Sequence, residues 1–201
     1  MERNNKSEKI YMSPEQIPTS DRGLDKYLLD LNLTKEVLVG KRILDLGSGT
    51  RRFAKEMEDN GIVADVFSVD PIFEDPNQKI EKGADELGGQ LSETDRPSIA
   101  KKTVAALGEN LPFRDNSFDF ILAEYSLPAH ATSEKQIDEF FQSSIRSLRV
   151  GGELRFCPPV NLQRKELTAY IERKLTELSK LNQYEVIKSG QLTVIKKLES
   201  E

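Results

Sequence analysis

The residues with the clearest chemical potential are a carboxylate and two glycines around the end of a short apolar run. Asp45 lies within the run 43–46, and Gly47 and Gly49 follow it before an amphipathic segment. Glycines at such a turn let a ligand approach the backbone closely. A second carboxylate, Asp70, closes the next apolar run, where it can accept hydrogen bonds from a ribose diol. These positions predict a nucleoside-containing cofactor above the first two strands of a sheet.

The spacing of the glycines narrows the class of cofactor. In the dinucleotide fingerprint a third glycine packs the helix against the strand, and here Arg52 occupies that position. The pattern acidic-x-Gly-x-Gly-x-Gly fits better, since it suits a cofactor without phosphates whose ammonium group can meet Asp45. Its last glycine is replaced by Arg51. Because such a turn is also an ordinary link between a strand and a helix, the turn alone does not identify the cofactor.

Two further segments carry a family resemblance. Residues 109–121 read Glu-Asn-Leu-Pro-Phe-Arg-Asp-Asn-Ser-Phe-Asp-Phe-Ile, which closely resembles a signature of class I S-adenosylmethionine-dependent methyltransferases. In that family an acidic-Asn/Asp-Leu-Pro-Phe loop borders the adenine, and an aromatic-Asp-apolar run begins the fourth strand. Residues 149–154 resemble the family's Gly-Gly turn before strand five. Together with the glycine turn and Asp70 these motifs stand in the family's order, and the resemblance covers roughly residues 40–198.

The resemblance implies S-adenosyl-L-methionine as the cofactor and suggests where it binds. Asp45 and Gly47 are expected at the methionine end, Asp70 at the ribose hydroxyls, and residues 107–109 along the adenine edge. The complete expected cofactor set is Asp45, Gly47, Ser48, Gly49, Thr50, Arg51, Asp70, Pro71, Leu107, Gly108, Glu109 and Asn110.

The chain departs from the family pattern at two of these positions. Many relatives have Asp where this chain has Leu107, so here only backbone could accept from the adenine amino group. Arg51 replaces the last glycine of the turn, and a side chain therefore leaves the turn near the methionine carboxylate or the mouth of the pocket. Two roles stay open for Arg51: pairing with that carboxylate, or plain exposure to solvent.

Candidate catalytic residues follow strand four, where the resemblance implies groups that face the methyl acceptor. Glu124 and Tyr125 stand there, and both could equally serve only to shape the cleft. His130 is the only histidine in the chain, and a histidine titrates near neutral pH, so it is a candidate general base. The alternative for a lone loop histidine is simple solvent exposure. No metal site is expected, because the single cysteine, Cys157, rules out a cysteine-rich one, and it also excludes an internal disulfide.

Composition and charge set limits on the partners. The chain has 201 residues, enough for one methyltransferase domain over residues 1–201. Its formal net charge of −5 argues against a nucleic-acid partner, because such proteins usually present a basic face. No apolar run approaches the roughly 20 residues that span a bilayer, and residues 1–9 lack the apolar core of a signal peptide. A cytoplasmic location without membrane contact is therefore expected.

Apolar periodicity predicts alternating strands and helices, which imply a mostly parallel sheet with helices on both faces. Strands are predicted at residues 42–46, 63–69, 103–107, 118–123 and 153–157, and a C-terminal hairpin at 184–188 and 191–198. The resemblance adds the Rossmann-like order 3-2-1-4-5-7-6 for seven strands, with an antiparallel end. Residues 1–20 are expected to be a flexible N-terminal segment. Residues 74–102 are expected to be an insertion or a lid between strands two and three.

Three functions remain open on this basis. The favoured one is methyl transfer to an oxygen or nitrogen of a small molecule. The second is methyl transfer to protein or RNA; residues 124–127 lack the Asn/Asp-Pro-Pro-Tyr/Phe motif used for amide and base amino groups, which counts against adenine or glutamine. The third is a non-catalytic S-adenosylmethionine-binding module, which the altered glycine turn supports. The identity of the acceptor and the oligomeric state do not follow from the sequence.

Overall fold

The computed structural model describes residues 22–74 and 94–199. The predictions made for residues 1–20, and for residues 75–93 of the expected insertion, lie outside these described ranges. Within them, no helix is long and apolar enough to cross a membrane.

One seven-stranded sheet organises the described residues, in the order β3-β2-β1-β4-β5-β7-β6. The pairs β1–β2, β1–β4, β2–β3 and β4–β5 are parallel, whereas β7 is antiparallel to both β5 and β6. The predicted strand order and the antiparallel C-terminal hairpin are therefore confirmed. The strands are β1 (Arg42–Leu46), β2 (Asp65–Val69), β3 (Thr103–Val104), β4 (Phe118–Glu124), β5 (Leu148–Cys157), β6 (Tyr184–Ser189) and β7 (Leu192–Lys197).

Six α-helices and one 3-10 helix lie around the sheet in the described part of the chain. Helix α5 begins after Ser133, whose hydroxyl accepts a hydrogen bond from the Gln136 backbone N–H at 3.2 Å, as is common for a serine that caps a helix. The helices are α1 (Leu24–Asp30), α2 (Lys35–Leu38), α3 (Arg52–Asp59), the 3-10 helix Pro71–Glu74, α4 (Pro97–Ala100), α5 (Glu134–Ser147) and α6 (Lys165–Leu178).

Three strand boundaries differ from the prediction by two residues or more. The strand expected at 103–107 has only two residues, because β2 ends at Val69 and the chain then enters the 3-10 helix, so residues 105–107 have no strand to pair with. β2 begins at Asp65, two residues later than expected. β5 begins at Leu148, well before the predicted residue 153, because Leu148 already pairs with Phe118 of β4.

Each face of the sheet has its own apolar core. Helices α5 and α6 cover one face and bury residues such as Phe140, Phe156 and Ile171. Helices α1 and α3 cover the other face, with Tyr27 stacked on Phe53 at 4.4 Å between ring centroids. Since side chains alternate along a strand, Asp45 and Glu124 both point to the face covered by α1 and α3, at the carboxyl ends of β1 and β4.

Candidate functional site

The glycine turn between β1 and α3 has the conformation that its residues suggest. Gly47 and Gly49 have φ angles of 75° and 51°, in the left-handed region where a side chain is strained. The Gly47 N–H donates to the Val69 carbonyl at 2.8 Å, which ties the turn to the end of β2. A Cβ atom at Gly47 would collide with the Cβ of Ser126, so the turn also packs directly against the segment that follows β4.

Asp45 presents a buried carboxylate oxygen that makes no hydrogen bond with the described residues. Its Oδ1 accepts a hydrogen bond of 2.7 Å from the Tyr27 hydroxyl, while Oδ2 has no such partner. Burial raises the pKa of Asp45 to about 7; the Tyr27 hydrogen bond lowers it, and the negative charge of Asp70 raises it. An oxygen in this state favours a cationic donor, such as the ammonium group expected there.

Asp70 connects the glycine turn to the segment after β2. Its Oδ2 accepts from the Gly49 N–H at 3.0 Å, and its Oδ1 accepts from the Ile72 N–H at 2.9 Å. These bonds fix the carboxylate beside Pro71 at the carboxyl end of β2. Each carboxylate oxygen can accept more than one hydrogen bond, so a ribose diol remains a feasible additional donor.

Two small hydroxyl residues complete the turn. Ser48 and Thr50 are both buried, and the Ser48 hydroxyl has no hydrogen-bond partner among the described residues. Like Asp45 Oδ2, this buried hydroxyl is satisfied if a polar ligand occupies the turn.

Arg51 does not lie in solvent, so that alternative for its role was wrong. Its side chain is buried and reaches across to the β3 side of the molecule, where Nη1 lies 3.4 Å from Thr103 Oγ1 and Nη2 lies 3.3 Å from Thr94 Oγ1. The guanidinium also stacks over the Phe73 ring at 5.1 Å, and burial lowers its pKa. Phe73 and Thr94 flank the undescribed residues 75–93. Arg51 therefore joins the two ends of that segment to the glycine turn, and its pairing with the cofactor carboxylate stays a prediction.

The loop predicted to border the adenine is held by helix α5. The Gly108 carbonyl accepts from the Ser143 hydroxyl at 2.8 Å, and Glu109 accepts from the Gln136 side-chain amide at 2.9 Å. Leu107 is 45% exposed although it is apolar, so a flat ligand could cover it. Asn110 closes a turn by donating to the Leu107 carbonyl at 3.0 Å. The adenine role of these residues remains a prediction.

At the end of β4, Glu124 and Tyr125 lie against an arginine that precedes α1. Glu124 is fully buried, and its Oε2 lies 2.8 Å from Arg22 Nε. Burial raises the pKa of Glu124 to about 8, and the positive charge of Arg22 opposes that rise. Tyr125 has a φ angle of 48°, which is unusual for a bulky residue, and the Arg22 guanidinium lies 4.6 Å above its ring. Strained backbone of this kind is common at functional sites.

His130 is not the exposed loop histidine of the alternative interpretation. Its side chain is half-buried, and its ring forms a hydrogen bond with the Tyr125 backbone, which raises its pKa. Burial and the nearby Arg22 charge outweigh that bond and lower its pKa, which leaves a neutral imidazole at pH 7. Such a group can accept a proton.

The structure thus brings the predicted residues together at the carboxyl edge of the sheet, and it adds two that the sequence did not reveal. Tyr27 is one of the buried residues of α1, and the acceptor of its hydroxyl could not be read from sequence spacing. Arg22 carried no signal, since it stands alone before the helix. Cys157 is a small buried residue, and burial raises its pKa to about 11. The described residues contain no cluster of metal-ligand side chains.

Comparison with known proteins identifies the family. Residues 44–156 match the sequence profile of a methyltransferase domain. The chain belongs to the class I S-adenosylmethionine-dependent methyltransferase family. Its match begins at Leu44, in the strand that carries Asp45, and ends at Phe156 in β5, so it contains both the glycine turn and the end of β4.

One curated relative and several solved structures support this family. The demethylmenaquinone methyltransferase of Clavibacter sepedonicus is 31% identical over 150 residues, which are 72% of this chain and 53% of that protein. The chain therefore spans about half the length of this relative. Among structures, a candidate S-adenosyl-L-methionine-dependent methyltransferase of Methanococcus maripaludis has a TM-score of 0.53 with 17% identity, covering 89% of this chain and 84% of its own.

A second structure shares the fold and contains ligands. The 1,6-didemethyltoxoflavin-N1-methyltransferase of Burkholderia thailandensis, solved with 1,6-didemethyltoxoflavin and S-adenosylhomocysteine, has a TM-score of 0.53 and 16% identity over 82% of this chain and 76% of its own. At these identities the structures show a shared fold. The family implies S-adenosyl-L-methionine as the cofactor. The residues fit it, because Asp45 Oδ2 and the Ser48 hydroxyl are buried at the glycine turn without a hydrogen-bond partner among the described residues.

Proposed function

We propose that this protein transfers a methyl group from S-adenosyl-L-methionine to a small molecule. One observation carries the proposal: buried polar atoms without hydrogen-bond partners among the described residues gather at the carboxyl ends of β1 and β4. They are Asp45 Oδ2 and the hydroxyls of Ser48 and Ser126. Buried polar groups are normally paired, so this concentration favours a site completed by polar ligands.

In this proposal the β1 side of the edge holds the cofactor. Asp45 binds its ammonium group, Asp70 accepts from the ribose hydroxyls, and residues 107–110 line the adenine. When bound, S-adenosyl-L-methionine supplies an electrophilic methyl group on a sulfonium. What remains for the protein is to hold the acceptor atom in line with that methyl group, and orientation alone can supply several kcal/mol.

The β4 side then holds the acceptor. Tyr125 and Glu124 shape the cleft, and Arg22 fixes both of them through its ring and carboxylate contacts. His130 lies nearby as a neutral imidazole and can accept the proton that an acceptor hydroxyl or amine releases. A general base of this kind contributes about 10²–10⁴-fold to a rate.

The acceptor atom is proposed to be an oxygen or a nitrogen. The relative's name identifies demethylmenaquinone as that protein's acceptor, and this makes a ring carbon the second candidate for the present chain. A carbon acceptor would make the base less important before transfer, since its proton leaves only after the new bond has formed.

The proposal is tested with a donor labelled in its methyl group and a panel of phenols, amines and quinols. We expect label in one or a few small molecules, and a fall of about 10²-fold or more in His130→Ala if it is the base. Asn161→Ala is the control for loop position: Asn161 lies after β5, and its side-chain amide donates to the Pro128 and Ala131 carbonyls on either side of His130, so this variant loosens the loop without removing a base. Label found only in protein or RNA would contradict a small acceptor. Binding of S-adenosylhomocysteine without any transfer would indicate a non-catalytic module.

A further inference from the structure

The segment between β5 and α6 holds the loop that carries His130. This loop joins β4 to α5, and several of its backbone carbonyls accept hydrogen bonds from the segment. The Leu162 N–H donates to the Ala129 carbonyl at 2.9 Å, and Arg164 Nη1 donates to the Thr132 carbonyl at 2.9 Å. The loop is therefore fastened to the start of α6 on both sides of the histidine.

Asn161 makes the buried part of this connection. It is 7% exposed, and its Nδ2 donates to the Pro128 carbonyl at 3.2 Å and to the Ala131 carbonyl at 2.8 Å. Its Oδ1 accepts from the N–H groups of Gln163 at 3.0 Å and Arg164 at 2.8 Å. An amide has two protons to donate and an oxygen that accepts twice, so these four bonds use its full capacity.

The four bonds explain why an asparagine stands at this position. Two carbonyls of the loop need donors, and two N–H groups at the start of α6 need an acceptor. An ionised aspartate has no proton to donate, and a serine has only one. A buried carbonyl that loses its partner costs about 1–3 kcal/mol, so the amide of Asn161 contributes to the position of the loop as well as to the start of the helix.

His130 stands in the chain between the two carbonyls that Asn161 binds. The His130 N–H donates to the Ser126 carbonyl at 3.3 Å, and its ring forms a hydrogen bond with the Tyr125 backbone. The loop thus folds back toward the end of β4 and brings the half-buried imidazole with it. A displacement of the loop backbone would therefore carry the ring away from the end of β4.

We infer that Asn161 is a positioning residue for His130: its amide holds the loop so that the imidazole stays at the end of β4. The inference rests on the general-base role proposed above for this histidine. Asn161 acts through the loop backbone, because its two donors bind carbonyls on either side of His130. Without these bonds the ring gains water and freedom of movement, and a base that moves is less often aligned with the proton it accepts.

Asn161→Ser separates the two roles of the side chain. A serine hydroxyl can accept from the N–H groups two and three residues further on, so the start of α6 keeps its cap, but both bonds to the loop carbonyls cannot be made. The matched control is Thr168→Ala. Thr168 Oγ1 accepts from the Asn161 N–H at 2.9 Å and donates to the Asn161 carbonyl at 3.3 Å. This control loosens the same residue from α6 and leaves its amide in place.

Nuclear magnetic resonance reports on His130 directly, because it is the only histidine of the chain and a histidine label gives one ring signal. The signal is followed between about pH 5 and pH 9 in the wild type and in both variants. Burial and the Arg22 charge lower the pKa of His130 below its ordinary value of 6.5. Asn161→Ser exposes the ring, so the midpoint should rise by about 0.5 pH unit or more. Thr168→Ala should titrate like the wild type.

The wild-type titration tests the position of the ring without any variant, since a midpoint at the ordinary value of histidine overturns the inference. An unchanged midpoint in Asn161→Ser, or an equal rise in Thr168→Ala, overturns it as well. None of these titrations uses a methyl acceptor, and each of these results is compatible with methyl transfer. The proposed function is contradicted instead if the wild type transfers no label, whatever the titrations show.

Discussion

The buried carboxylate of Asp45 should make the affinity for S-adenosylhomocysteine depend on pH near neutrality. Burial raises the pKa of Asp45 to about 7 in the ligand-free protein. The ligand ammonium binds the ionised carboxylate, so affinity follows the ionised fraction. That fraction rises from about 9% at pH 6 to about 91% at pH 8, and we expect the association constant to rise about tenfold over this range.

Tyr27→Phe should move this pH dependence upward. The Tyr27 hydroxyl donates to Asp45 at 2.7 Å and so favours the ionised form. Hydrogen bonds to charged groups contribute about 1.5–3 kcal/mol, which corresponds to a rise of roughly one to two units in the pKa of Asp45. Affinity at pH 7 should therefore fall about fivefold or more, and the loss should shrink toward pH 9, where the carboxylate ionises in both proteins.

Calorimetric titration at intervals between pH 6 and pH 9 measures this effect. Asp70 and Arg22 also act on the charge of Asp45, and both remain in the variant. The matched control is Tyr170→Phe, which removes a hydroxyl that donates to Asp138 at 2.7 Å between α6 and α5. A wild-type affinity that is flat from pH 6 to pH 8, or a loss in Tyr27→Phe that is the same at every pH, would refute this reasoning.

Three further outcomes are expected. Asp70→Ala should weaken S-adenosylhomocysteine binding by about one to two orders of magnitude in calorimetry. Unchanged affinity would show that Asp70 does not bind the ribose. Arg51→Gly relieves the strain of a left-handed backbone but loses the contacts of Arg51 with Thr94 and Thr103. The melting temperature should therefore fall by about 2–4 °C, and a rise would mean that those contacts contribute little to stability. Burial raises the pKa of Glu124 from 4.5 to about 8, so the part of the folded protein's stability that depends on this group is greatest below pH 4.5 and is lost as the pH rises from there to about 8. Glu124→Gln should thus raise the melting temperature by roughly 4–8 °C at pH 8.5 and hardly at pH 4. An equal shift in melting temperature at both pH values would refute a raised pKa for Glu124.

The sheet could be predicted because its signals are local. Short apolar runs, the glycines after β1, and the Ser133 cap each determine one element, and the family motifs supply the order of strands. The length of β3 could not be predicted in this way. It is set by how far β2 continues beside it, and β2 ends at Val69.

The positions of candidate site residues could be predicted where a motif fixes the backbone. The contacts of side chains that reach across the molecule could not be predicted. Asp45 and Gly47 follow from the turn itself. The position of the Arg51 guanidinium depends on Thr94 and Thr103, which are 43 and 52 residues away in the chain. The Tyr27 hydroxyl likewise finds its acceptor only after α1 has packed on the sheet. Such long-range contacts leave no periodic signal in the sequence.

The most direct test of the central claim is a calorimetric titration of S-adenosylhomocysteine into the wild-type protein and into the double variant Asp45→Asn, Asp70→Asn. The two carboxylates are expected to hold the methionine end and the ribose of the cofactor, and both substitutions keep side-chain size while they remove charge. We predict one-to-one binding to the wild type at pH 8 and a loss of at least about 100-fold in the double variant. No binding to the wild type, or the same affinity in both proteins, would contradict a cofactor site at the ends of β1 and β2.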